Sequence, residues 1–98
     1  MWISTITYDL VSVRATDPAE VISVFTGIQN KKDEIRAVDG NGNPVAGFEP
    51  KDLSDPSYQE ESTAEIKRAW NTQSAAEEFV NFATSAADFV TGTVEEQV

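Results

Sequence analysis

Twice along this chain a strand-like run gives way, at a capping signal, to apolar residues spaced three and four apart. The second instance is the cleaner. In residues 62–70, Ala64, Ile66, Arg68 and Trp70 face one way while Thr63, Glu65, Lys67 and Ala69 face the other. That is the two-residue repeat of a strand. Asn71 and Thr72 then open a helix, with Ser74 and Glu77 offering an alternative capping box. Ala76, Phe79, Val80, Ala83, Ala86 and Ala87 form one stripe along it. A stripe so rich in alanine predicts close approach of the helix to whatever it covers.

The first instance starts at residues 2–14, where β-branched and aromatic residues dominate and no Gly or Pro intervenes. The whole run reads as one long strand. Trp2, Ile6, Tyr8 and Leu10 share one face, and Ile3, Val11 and Val13 share the other. Asp17, Pro18 and Glu20 then signal a helix start. Val21, Val24, Phe25 and Ile28 give its buried stripe, and Gln29 to Lys32 its polar end.

Between these two units the signals are weaker. Residues 34–38, Glu-Ile-Arg-Ala-Val, read as a short second strand. Asp39-Gly40-Asn41-Gly42-Asn43 is the strongest turn signal in the chain. Val45 to Phe48 suggest a small returning arm, and residues 49–61, with two prolines and five acids, a long exposed loop. At the other end, Val90, Gly92, Val94 and Val98 alternate with Thr91 and Thr93 as a last strand.

The order is therefore strand, helix, strand, long connection, strand, helix, strand. With 98 residues it makes a single α+β domain over 1–98, in which 39–61 is a hairpin or loop insertion between the second and third core strands. The plan expected is a ferredoxin-like βαββαβ sandwich, an antiparallel sheet with two helices on one face. Two helices shelter only one face, while Ile3, Val11 and Val13 make the other apolar as well. A sheet-to-sheet homodimer is the expected remedy.

The passage Ala64-Glu-Ile-Lys-Arg-Ala-Trp-Asn-Thr-Gln-Ser-Ala-Ala-Glu-Glu-Phe79 resembles the third-strand-to-second-helix segment of the dimeric α+β barrel superfamily. That superfamily includes antibiotic-biosynthesis-monooxygenase-like proteins. The resemblance implies a ferredoxin-like fold, a homodimer and an apolar pocket between sheet and helices. The long 49–61 loop departs from the family's pattern. So does the lack of the histidine that haem-degrading members use as a ligand.

Composition narrows the chemistry. The chain has no histidine and no cysteine. Histidine-dependent triads, thiolate nucleophiles and His- or Cys-ligated metal sites are therefore impossible within it. Asp39 to Asn43 faintly resembles the start of a calcium loop, but position 12 of that loop would be Pro50 instead of the required Glu, so a tight turn is the reading. No metal and no cofactor are expected. The net charge of −10, from 17 acids and 7 bases, repels nucleic acid and anionic lipid. There is no run of apolar residues long enough to span a bilayer and no signal-peptide pattern at Met1 to Thr5, so a cytoplasmic location is expected.

Four residues stand out as ligand-binding candidates. Arg68 lies on the same strand face as Trp70 and could hold a carboxylate or phosphate. Trp2, Tyr8 and Trp70 could line an apolar pocket, although buried aromatics more often serve as core. No catalytic residue is assigned. The function expected is that of a small dimeric protein, non-catalytic or binding a small apolar molecule. Two alternatives stay open: a cofactor-free monooxygenase- or isomerase-like enzyme, and an acidic inhibitor that docks a basic partner. The sequence does not decide whether any catalysis occurs.

Overall fold

The structure, a computed structural model, describes residues 1–45 and 61–97. Strand β1 (Trp2–Asp9) ends sooner than its β-branched composition suggests. The reason is Asp9. Its carboxylate accepts hydrogen bonds from the Val11 and Ser12 backbone N–H groups and from the Ser12 hydroxyl, at 3.1, 3.3 and 3.0 Å. That cap turns residues 10–15 into a short helix, α1 (Leu10–Ala15), where a strand through residue 14 was expected.

Helix α2 (Pro18–Asp39) starts as anticipated, with Asp17 accepting from Ala19 N at 2.9 Å and Pro18 in the first turn. It then runs on through the expected second strand at 34–38. Ile35 is seven residues from Ile28 and continues the same buried stripe. Lys31 bridges to Glu34 one turn on, at 3.5 Å. Nothing interrupts the helix until Gly40, whose φ of 77° forms the left-handed cap and whose N–H reaches Arg36 O at 2.7 Å.

The second strand instead lies beyond the turn, as the two-residue β2 (Asn43–Pro44). Pro44 suits this position, because β2 is an edge strand. The rest of the expected arm, beyond Val45, and the loop at 49–60 lie outside the described residues, as does Val98.

Strand β3 (Thr63–Trp70), helix α3 (Gln73–Ala86) and strand β4 (Val90–Glu96) follow the sequence closely. Thr72 is the N-cap of α3, its hydroxyl accepting from Ala75 N at 3.1 Å. The strands form one antiparallel sheet in the order β2-β3-β1-β4. The architecture is thus α+β, a four-stranded antiparallel sheet with three helices.

Even-numbered strand residues face the helices. Ile6, Tyr8, Ala64, Trp70 and Val90 join Phe79, Val80 and Ala83 of α3 in the core. Ala76 and Ala83 are fully enclosed, and so their helix sits close to the sheet. Helix α2 lies against α3, and its Phe25 ring meets Tyr8 edge-on at 5.2 Å.

Odd-numbered residues form the opposite face: Ile3, Thr5 and Thr7 on β1, Glu65, Lys67 and Ala69 on β3, Thr91, Thr93 and Glu95 on β4. This face is polar. Two of the three apolar residues from which a greasy second face was expected, Val11 and Val13, are in α1 and leave the sheet altogether. Thr5, at its centre, is only 8% exposed, and its Oγ1 has no hydrogen-bond partner among the described residues.

Candidate ligand-binding site

Arg68 is held near the middle of β3, opposite Ser4 of β1, with its side chain on the helix-facing side of the sheet. It is 8% exposed. A guanidinium carries five N–H donors. Among the described residues, one hydrogen bond is formed, from Nη1 to the Gly42 carbonyl at 3.2 Å. That carbonyl belongs to the turn linking α2 to β2, so the Gly40–Gly42 turn positions the head of Arg68.

The electrostatics show what the guanidinium faces. Burial lowers the pKa of Arg68; Tyr8 and Asp33 oppose that, and Arg36 adds to it. Asp33 and Arg36 both belong to α2, so Arg68 points from the sheet towards that helix. Tyr8, on the same sheet face, is pushed up to about 12 by burial, with Arg68 pulling it back in part.

A second basic side chain is buried on α2. Lys32 is 7% exposed, between Ile28 and Ile35 on the buried stripe of α2. Its neighbour Lys31 is turned the other way: it bridges to Glu78 of α3 at 3.1 Å and lies 5.7 Å from the Phe82 ring centroid. One residue is about 100° of helix rotation, so fixing Lys31 on α3 turns Lys32 off that side. The sole ion pair of Lys32 among the described residues is with adjacent Asp33, at 3.4 Å, whose side chain is 59% exposed. Such a pair contributes about 1 kcal/mol at most.

The other sequence candidates are placed differently. Trp70 is 0% exposed, tilted against Phe79 at 5.2 Å, and its Nε1 donates to Ser4 Oγ at 2.9 Å. It works as core. Trp2, half-buried, lies opposite Trp70 at the far end of the register. Tyr8 and Arg68 thus act on one another electrostatically, while Arg68 lies next to Trp70 along the same face of β3 and the Gly42 turn meets both.

The Asp39 turn is also accounted for. The Asp39 carboxylate accepts from Asn71 N at 3.2 Å, its carbonyl from Asn71 Nδ2 at 2.7 Å, and Asn41 Nδ2 donates to Asn71 Oδ1 at 2.7 Å. These bonds tie the end of α2 to the β3–α3 corner. Among the described residues no three carboxylates converge to hold a metal ion. A cleft of about 200 Å³ lies between the end of α2 and the start of α3, and one of about 380 Å³ lies beside Thr16 and Asp88; neither includes Arg68. No helix among the described residues is long and apolar enough to cross a membrane.

Sequence reasoning found Arg68 because strict alternation put it beside Trp70. It missed Lys32, which it assigned to the polar end of a shorter helix. The usable signal was its spacing, four residues after Ile28 and three before Ile35.

A pH consequence follows from Tyr8. Its folded pKa lies above the unfolded value of 10.0, so the neutral phenol is favoured by folding. The associated stability is complete below pH 10 and is lost as pH rises towards about 12. Denaturant titrations at pH 9, 10.5 and 11.5 are expected to show this fall, and Tyr8→Phe is expected to remove most of it.

No protein-family model, no curated protein and no solved structure matches this chain.

Proposed function

We propose that this chain is a ferredoxin-like binding domain, non-catalytic, that takes a small molecule between β3 and α2 against Arg68. The fold part of the reading is supported by topology. Strands β3 and β4 are joined through α3 with β1 lying between them, and β1 and the reduced β2 enclose β3 in the same way. Two such interleaved units are the split βαβ plan.

The observation that carries the binding reading is Arg68 itself. It is buried and anchored at one nitrogen to a turn carbonyl, its one hydrogen bond among the described residues. Fixed polar groups in an otherwise apolar layer are what orients a small ligand. The chemistry around it favours holding over reacting. A general base at neutral pH needs a pKa near 7, and Tyr8 is displaced to about 12, which keeps it a hydrogen-bond donor.

The test is a thermal-shift and ligand-observed NMR screen of a diverse small-molecule library against the wild type and Arg68→Gln. Compounds that stabilise the wild type and lose at least tenfold in affinity with Arg68→Gln are expected. If every hit binds both proteins equally, the assignment to Arg68 is wrong.

A sheet-to-sheet homodimer is a second reading, favoured by the half-buried register neighbours Ile3 and Ala69 on the outer face. With so few apolar groups on that face, the pairing is expected to be weak. Light scattering across a concentration series should show the mass rising above 10.7 kDa towards twice that value, and a constant mass to millimolar concentration would remove the dimer.

A further inference from the structure

We infer that the free edge of β4 pairs antiparallel with the β4 edge of a second copy of this chain, joining two sheets edge to edge into one. The ladder between β1 and β4 fixes which backbone groups that edge offers. Asp9 N–H donates to Phe89 O and Gln97 N–H to Met1 O, so odd-numbered β4 residues exchange their bonds with β1. The N–H and carbonyl groups of Gly92, Val94 and Glu96 therefore point away from β1. β4 is the last strand in the sheet, and among the described residues nothing bonds to these three on that side.

The two edges of the sheet differ in protection. β2 is two residues long and ends on Pro44, which cannot donate to a further strand. β4 is seven residues long and has no proline, lysine or bulge; its ladder runs unbroken from Glu96 opposite Trp2 to Val90 opposite Tyr8. A long, regular edge of this kind is a template for another strand. The sequence of β4 suits its own copy. Matching the whole strand about a two-fold axis puts Thr93 on the axis, Gly92 opposite Val94, Thr91 opposite Glu95 and Val90 opposite Glu96. Gly92 and Val94 then exchange both their bonds across the axis. The Thr93 pair takes the non-hydrogen-bonded site, where side chains come closest and a threonine pair is favourable. Glu95 and Glu96, the only charges in the strand, each meet an uncharged residue. The net charge of −10 on each copy still opposes association, so added salt tightens the pairing.

The experiment follows amide hydrogen exchange of the full chain by ¹⁵N NMR across a concentration series, alongside light scattering. In the lone chain the amides of Thr91, Thr93 and Glu95 are protected by β1, and those of Gly92 and Val94 exchange fast. As the mass rises above 10.7 kDa, exchange at Gly92 and Val94 is expected to slow by at least about tenfold. A dimer that leaves these two amides fast overturns the inference, as does a mass that stays at 10.7 kDa to millimolar concentration. If the chain stays single and an added lysine-rich peptide slows the same amides, the edge takes a foreign strand and the inference fails.

Two variants separate this edge from the face-to-face pairing above. Val94→Pro removes an outward N–H and leaves the bonds to β1 in place. By symmetry two bonds are lost per dimer, so it is expected to associate at least about tenfold more weakly, with Thr91 and Thr93 still protected. Ala69→Lys charges the outer face at β3, away from β4, and is expected to leave the association unchanged. Association lost with Ala69→Lys and kept with Val94→Pro would assign the dimer to the sheet face, and the inference fails. Should Val94→Pro not fold, the exchange pattern of the wild type decides.

Discussion

Trp70→Ala is expected to lower the stability by about 3–5 kcal/mol, the largest loss available from a single truncation here. The indole is 0% exposed and contacts three segments distant in sequence. Its ring lies 5.2 Å from Phe79 of α3, its Nε1 donates to Ser4 Oγ of β1 at 2.9 Å, and its outer edge lies against the Gly42 turn. Truncation opens a cavity at that junction and leaves the Ser4 hydroxyl, itself fully buried, without its donor. For a domain of about this size each kcal/mol is worth roughly 4–8 °C, so the melting temperature should fall by at least ~12 °C. Trp70→Phe separates the two contributions. It keeps an aromatic ring against Phe79 and loses the hydrogen bond, and should cost about 1–3 kcal/mol. Urea unfolding followed by far-ultraviolet circular dichroism measures both. An alanine variant no less stable than the phenylalanine variant would contradict this account of the junction.

Gly42→Ala is expected to be nearly as damaging, by a different route. Gly42 has φ of 99°, where a side chain is strained, and an added Cβ would lie 2.9 Å from two carbons of the Trp70 ring. The backbone strain alone amounts to about 1–2 kcal/mol. Forcing the indole aside adds about 1–3 more. Gly40 provides the internal control. Its φ of 77° is also left-handed, but the nearest atom to an added Cβ is Asn71 Nδ2 at 4.0 Å. Gly40→Ala should therefore show only the strain of about 1–2 kcal/mol. The two variants, compared by denaturant midpoint, should differ by the contact with Trp70, and equal losses would show that this contact yields easily. Because the Gly42 carbonyl also holds Arg68, Gly42→Ala should also weaken the binding proposed at Arg68, whereas Gly40→Ala should affect it less.

How far the sequence revealed this molecule depends on which force dominates at each place. The β3–α3 passage was legible because alternation, the Thr72 cap and the alanine stripe all agree there. The end of β1 was not. Val11 and Val13 favour a strand by their branching, but Asp9 offers three hydrogen bonds to a helical turn, and those bonds prevail. The length of α2 was misjudged for a related reason. Glu-Ile-Arg-Ala-Val fits a short strand as well as a helix, and only the seven-residue spacing from Ile28 to Ile35, with Gly40 as the first stop, decides between them. Once that helix is read too short, Lys32 looks like a solvated end and not a buried residue. Arg68 was visible from its strand neighbours, but the Gly42 carbonyl that steadies it comes from a turn 26 positions away, a contact no local pattern encodes.

Thr5, Thr7, Thr91 and Thr93 lie as two adjacent pairs across β1 and β4 on the sheet face away from the helices. Threonine and valine have nearly the same shape, and both are branched in the way that strands favour. The oxygen atoms of Thr7, Thr91 and Thr93, which contribute little to the pleat or the register, therefore keep that surface wetted, while the Thr5 oxygen lies beneath it. The polarity of that plane can change through single-atom exchanges while the folded chain beneath remains as it is.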